Sequence, residues 1–114
     1  MVDVADSREE RLARNEAFFR DINERIREAV GTQGADGHVY EFICECSDPA
    51  CVERVSMTTA EYERIRSEGN RFVLAVGHDM ASIEDVVAAN ADHVVVEKVG
   101  TAGAVAQSLD PRPA

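Results

Sequence analysis

Positive charge is scarce in this sequence, and long apolar runs are absent from it. The chain has 114 residues, with 12 lysines and arginines against 22 aspartates and glutamates, and its formal net charge is −10 at pH 7. A surface that binds nucleic acid or an anionic membrane needs clustered basic residues. We therefore expect neither nucleic acid nor a membrane as a partner. No apolar stretch approaches the roughly 18 residues of a membrane-spanning helix.

The sequence also lacks the signals of secretion and the common patterns of catalysis. Its first residues, MVDVADSREER, contain no basic segment followed by an apolar core, so they do not resemble a secretory signal and predict a cytoplasmic location. There is no Ser/His/Asp pattern, no glycine-rich phosphate loop and no H-E-x-x-H. These absences favour a binding or structural role, and a metal-dependent enzyme is the weaker alternative.

All three cysteines lie in the short stretch ICECSDPAC, residues 43–51. A cytoplasmic location keeps thiols reduced, which disfavours a disulfide framework. In an extended strand, the Cα atoms of Cys44 and Cys46 would lie roughly 6.5–7 Å apart, at or beyond the limit for a disulfide. The acidic neighbours Glu45, Asp48 and Glu53 disfavour a reactive thiolate. A metal site is therefore the leading interpretation, with a Cys46–Cys51 disulfide and plain burial of the thiols as alternatives.

A divalent cation reverses the effect of the acidic surroundings, because it stabilises the thiolates that bind it. The Asp48–Pro49 turn should bring Cys51 back toward Cys44 and Cys46, which gives three soft ligands. Zinc usually takes four ligands. His78 is the predicted fourth, because Gly77 and His78 follow directly where an apolar strand stops. His38 and His93 are the second and third candidates.

The predicted site therefore consists of Cys44, Cys46, Cys51 and His78. Zinc is the predicted metal, and an iron–sulfur cluster on the same residues is the alternative. Four protein ligands leave no open position for a substrate, which favours a structural site over a catalytic one.

The apolar periodicity predicts an α+β fold, with a long N-terminal helix and a small antiparallel sheet clipped by the metal-binding turn. The helix covers residues 8–30, and its core-facing positions are Leu12, Phe19, Ile22, Ile26 and Ala29. A second helix covers 58–68, with a capping box formed by Thr58 and Glu61. The strands of the sheet are 38–46, 52–57, 71–76 and 93–98.

Two segments are harder to assign. Residues 82–90 favour a helix slightly, and the alternative is a strand paired with 93–98 through a turn at Asn90–Asp92. Residues 100–114 lack periodicity and predict a mobile tail. The predicted organisation is an N-terminal helix and joint (1–36), a metal-binding α+β domain (37–99) and the tail (100–114).

The long helix, residues 8–30, is the predicted docking element, either for another protein or for a second copy of the chain. Asn15 interrupts its apolar seam, as polar residues do where they fix the register of paired helices. Phe18 lies beside the seam as a potential contact residue. The leading functional hypothesis is a structural-metal domain that acts as a protein-interaction or regulatory module. The second hypothesis is a metal or redox sensor that uses the cysteine cluster.

Residues 41–98 resemble a family of small, largely uncharacterised bacterial proteins. The shared pattern is F-x-C-x-C…C…(I/V)-x-(L/M)-T-x-x-E-Y…R…R-F-x-V…G-H…V-V-E-K, and the sequence matches it in FICEC, MTTAEY, RFVLAVGH and VVVEK. The resemblance groups Cys44, Cys46, Cys51 and His78 as one Cys3His set. It implies a type of domain and not a reaction.

Overall fold

The computed structural model describes residues 4–31 and 37–112, so most of the predicted joint lies outside the described residues. The fold is α+β, as predicted. Its helices are α1 (Val4–Val30), α2 (Thr59–Ile65) and α3 (Gly100–Ser108); its strands are β1 (Val39–Ile43), β2 (Arg54–Thr58), β3 (Arg71–Ala75), β4 (Glu84–Ala89) and β5 (His93–Lys98). None of the helices in the described part combines the length and apolar composition needed to cross a bilayer.

The strands form two antiparallel sheets and not the single predicted sheet. Strands β1 and β2 make a hairpin, and the second sheet has the order β3-β5-β4. The predicted strand 38–46 ends at Ile43, because the next residues turn to the open edge of β3. There the backbone N–H of Glu45 donates to the Val73 carbonyl at 2.8 Å, and the Glu45 carboxylate accepts from the Val73 N–H at 3.0 Å. The Glu45 side chain thus takes the place of a strand partner at the edge of β3 and joins the two sheets.

Residues 84–89 are strand β4, so the preference for a helix over 82–90 was wrong and the alternative strand is confirmed. β4 pairs with β5, and the connection is a turn in which the Asn90 side-chain oxygen accepts from the backbone of Asp92 at 2.8 Å and of His93 at 2.9 Å. A helix here would leave this edge of β5 without backbone partners. The pairing, together with the β-branched Val86 and Val87, outweighs the weak helical pattern.

The predicted mobile tail differs from the structure, because Gly100–Ser108 forms α3 and packs against α1. Its buried residues are small: Ala102, Gly103 and Ala106. A Cβ atom on Gly103 would lie 2.9 Å from the Lys98 carbonyl oxygen, so glycine permits this close approach. Small residues give little hydrophobic periodicity, which explains why the sequence pattern did not reveal the helix.

The buried face of α1 is more polar than predicted. Phe19 is buried, but Leu12, Ile22 and Ile26 are only partly buried and Ala29 is exposed; the fully buried set adds Ala13, Glu16, Ala17, Arg20 and Asn23. The Arg20 guanidinium donates to the carbonyls of Gly69 at 2.6 Å and Ala106 at 2.9 Å. The helix is therefore held by specific hydrogen bonds as well as by apolar contact.

Helix α2 begins as the sequence predicts and ends earlier. Thr58 and Glu61 form the reciprocal capping box, and Ile65 is the last helical residue where 68 was predicted. Tyr62 and Ile65 are buried in the main core, where the Tyr62 ring stacks on Phe42 with the ring centres 4.7 Å apart. This core lies directly under the segment that carries the cysteines.

Candidate metal centre

The first part of the site is the loop between β1 and β2. Cys44 continues the hairpin by one bond, from its N–H to the Glu53 carbonyl at 3.0 Å. The chain then turns at Asp48, whose carbonyl accepts from Cys51 N–H at 3.0 Å and whose side chain accepts from Ala50 N–H at 2.9 Å. Pro49 lies inside this turn, where its fixed φ is favourable. The predicted turn is confirmed, and it returns Cys51 to Cys44 and Cys46.

The second part of the site is the turn at the end of β3. The His78 N–H donates to the Ala75 carbonyl at 3.1 Å, and Gly77 has a φ of 87°. A positive φ at the third position of a tight turn is typical of type II and favours glycine. The turn directs His78 to the cysteine loop, which confirms the structural reason for choosing Gly77–His78 from the sequence.

The ligand atoms of Cys44, Cys46, Cys51 and His78 all lie within 4.8 Å of one another. The His78 Nδ1 atom is 3.6 Å from the Cys44 sulfur and 3.6 Å from the Cys51 sulfur. In a tetrahedral zinc site, Zn–S bonds of about 2.3 Å and a Zn–N bond of about 2.0–2.1 Å place nitrogen and sulfur roughly 3.6 Å apart. The four side chains therefore fit a zinc ion. The structure does not bring His38 or His93 into this group.

The three thiols differ in their surroundings and in the direction of their pKa shifts. The Ala75 N–H donates to the Cys44 sulfur at 3.2 Å. Hydrogen bonds from the Cys44 thiol, above all, lower the pKa of Cys46 to about 5, and the same interaction raises the pKa of Cys44. Burial raises the pKa of Cys51. The expectation that acidic neighbours disfavour a thiolate therefore does not hold for Cys46, because the nearer Cys44 thiol lowers its pKa.

Helix α1 positions the cysteine loop through two asparagines. The Asn15 side chain donates to the Ser47 carbonyl at 3.0 Å. The Asn23 side chain donates to the Ile43 carbonyl at 2.9 Å and accepts from the Ile43 N–H at 2.9 Å. The sequence predicts that Asn15 fixes the register of paired helices, but in the structure its side chain binds within the chain. The eight-residue spacing places both asparagines on one side of the helix, which was the available sequence signal.

Glu45, between two of the cysteines, is fully buried and was not recognised as a structural residue from the sequence. Its carboxylate accepts from the Asn23 amide at 2.8 Å, from the Tyr62 hydroxyl at 3.2 Å and from the Val73 backbone. Burial raises the pKa of Glu45. Because these donors occupy the carboxylate, it serves to fix the loop and not as a base at the sulfurs.

The cluster is accessible from one side. A surface depression of about 210 Å³ is lined by Cys46, Ser47, Asp48, Gly77, His78 and Met80. The depression therefore borders two of the four ligand residues, Cys46 and His78.

No protein-family model matches the sequence, and no curated protein or solved structure matches it either. The geometry and chemistry of the four side chains are therefore the basis for a functional conclusion.

Proposed function

We propose that the protein is a small zinc-binding domain in which Cys44, Cys46, Cys51 and His78 hold a structural ion. The observation that carries the proposal is the convergence of four suitable ligand atoms within 4.8 Å of one another. Three sulfurs and one imidazole nitrogen are a soft donor set that suits zinc better than calcium or magnesium. With four protein ligands the coordination is complete, which fits a structural ion better than a catalytic one.

The ion would add a further link between two parts of the chain that already share the main apolar core and several hydrogen bonds. The cysteines belong to the loop between β1 and β2, and His78 follows β3 of the other sheet. A bound ion would fix both at one point, so its binding free energy would contribute directly to folding. In a chain of this size, which buries a modest core, that contribution is large relative to the total stability.

We further propose that the domain acts through protein contact, as an interaction or regulatory module. Two exposed valines support this: Val52, 85% exposed, follows the ligand Cys51, and Val76, 57% exposed, precedes the turn to His78. Phe18 is 63% exposed on α1. Because the other face of α1 packs within the chain, a protein partner or a second copy would dock on the Phe18 side. The net charge of −10 favours a basic partner.

The zinc proposal is tested by metal content and by one histidine substitution. Protein prepared under reducing conditions should contain one zinc ion per chain by native mass spectrometry with elemental analysis. His78→Ala removes a ligand and should weaken zinc binding by more than the roughly 10–100-fold that loss of a supporting residue produces. His38→Ala, the matched control, should bind as the unsubstituted protein does.

Two results would contradict the proposal. One is protein that binds no zinc after zinc is added under reducing conditions. The other is His78→Ala with unchanged affinity. An iron–sulfur cluster in place of zinc would appear as iron and sulfide in the same elemental measurement.

The proximity of the three cysteine sulfurs, which lie within 4.8 Å of one another, supports a second candidate function, a metal or redox sensor. A thiolate with thiols close by can be oxidised by a peroxide, which converts two thiols to one disulfide and itself becomes two water molecules. A sensor would release zinc when it is treated with hydrogen peroxide and take it up again after reduction. Retention of the ion throughout that treatment would exclude this function and leave the structural one.

A further inference from the structure

A groove of about 270 Å³ lies between α2 and the β4–β5 pair, and none of its lining residues is a proposed zinc ligand. Its apolar lining includes Ile65 from α2, Val87 from β4 and Val95 from β5. The volume is at the small end of the range for ligand pockets. An inference about this groove therefore does not depend on the zinc proposal.

Arginines line one end of the groove. Arg71 lies opposite Glu97 in the pairing of β3 with β5, and the two form an ion pair in which the Arg71 Nε atom is 3.5 Å from a Glu97 oxygen. The Nε atom is buried and makes no hydrogen bond. The exposed Arg64 of α2 lines the same groove, and the described residues offer its side chain no ion pair. Glu61, the acidic residue of the lining, is engaged in the capping box of α2. Arg64 is therefore the cation of the lining that is free to meet an anionic group of a ligand.

His93 marks the other end. His93 pairs with Ala75 of β3 and lies four residues before Glu97 along β5. Four residues of an antiparallel strand correspond to about 13 Å between the Cα atoms of His93 and Glu97. His93 is 7% exposed, and its buried Nδ1 atom has no hydrogen-bond partner within the described ranges. Buried polar atoms are normally hydrogen-bonded. The Nδ1 atom therefore indicates where a polar group of a ligand would bind.

We propose that this groove binds a linear molecule with a carboxylate at one end and a second polar group at the other. The carboxylate would lie against Arg64 and Arg71, the carbon chain over Val95, and the second polar group at His93. An extended chain of roughly eight carbons is comparable in length to the separation of about 13 Å between the Glu97 and His93 positions along β5. An α,ω-dicarboxylate is the simplest molecule of this kind.

The test uses octanedioate as the probe and methyl NMR spectra of the full chain as the readout. Octanedioate should shift the methyl resonances of Ile65, Val87 and Val95 in a saturable way. Octanoate lacks the group that would meet His93 and should bind about tenfold more weakly. Octane-1,8-diol lacks the charge and should produce no saturable shift.

Substitutions locate the site. Arg64→Gln changes an exposed helix residue, so the variant should fold, and its affinity for octanedioate should fall by about tenfold or more. Arg54→Gln, an exposed arginine on β2 outside the groove lining, is the matched control and should bind normally. Absence of saturable shifts with octanedioate, or equal affinity in these two variants, would overturn the proposal. Equal affinity for octanoate and octanedioate would also overturn it, because His93 would then have no ligand group to bind.

Discussion

The strongest prediction about stability concerns Lys98, the only lysine in the sequence. Its ammonium group is buried and contacts the carboxylates of Glu16 from α1 and Glu84 from the start of β4. The three residues are between 0% and 3% exposed. This cluster ties α1 to the sheet formed by β3, β5 and β4.

Lys98→Met keeps the volume of the side chain and removes its charge, which leaves two buried carboxylates without a cation. Removing one partner of a buried ion pair destabilises a protein by about 3–5 kcal/mol. Small domains unfold at a cost of about 5–15 kcal/mol, so the variant should lose at least about a fifth of its stability. The loss should be greater at alkaline pH than at acidic pH, because Glu16 is then ionised to a larger extent.

The pH dependence has a definite sign. Burial raises the pKa of Glu16 from 4.5 to about 7, although Lys98 opposes the shift. The folded state therefore binds this proton more tightly than the unfolded state does. The contribution of protonated Glu16 to the free energy of unfolding is fully present below pH 4.5 and is lost as the pH rises through about 7. Without Lys98 the opposing attraction disappears, so the carboxylates should take up protons more readily. The destabilisation should therefore be smaller at about pH 5.5 than at about pH 8.

Urea unfolding, followed by circular dichroism at both pH values with equal zinc loading, measures this difference. The double variant Glu16→Gln, Lys98→Met should recover part of the lost stability at the higher pH, because one buried charge is gone. Arg54→Met, which removes an exposed charge, should change stability by less than about 0.5 kcal/mol. A Lys98→Met loss below about 1 kcal/mol at high pH, or a loss that grows on acidification, would refute the reasoning.

Two further predictions concern α1. Asn23→Leu should destabilise the protein by about 2–3 kcal/mol, because the Ile43 backbone and Glu45 lose buried partners. It should also weaken zinc binding about 10–100-fold, because the cysteine loop loses its support. Urea unfolding and zinc titration measure the two effects, and unchanged zinc affinity would show that the loop keeps its geometry without Asn23. Phe18→Ser should leave stability within about 0.5 kcal/mol and abolish any self-association through the exposed face of α1. Light scattering checks this result, and an oligomer of unchanged mass would remove that face from self-association.

Much of the candidate site could be predicted from the sequence because short-range geometry determines it. Pro49 and the Asp48 side chain define the turn that returns Cys51, and Gly77 permits the turn that precedes His78. Each of these features depends on residues within a few positions of one another. The capping box of α2 was predictable for the same reason. The convergence of the two turns was an inference from metal chemistry, which requires a fourth ligand, and the structure places the two turns together.

Tertiary structure decided the features whose partners are distant in the chain. Residues 84–89 could form a helix or a strand, and the open edge of β5 selected the strand. Glu16 lies inside the protein and pairs with Lys98, 82 positions away, a contact that no local pattern in α1 predicts. A buried charge is stable only where the fold supplies its counter-charge. The local sequence determined the turns and caps, and only the assembled fold determined which polar side chains could be buried.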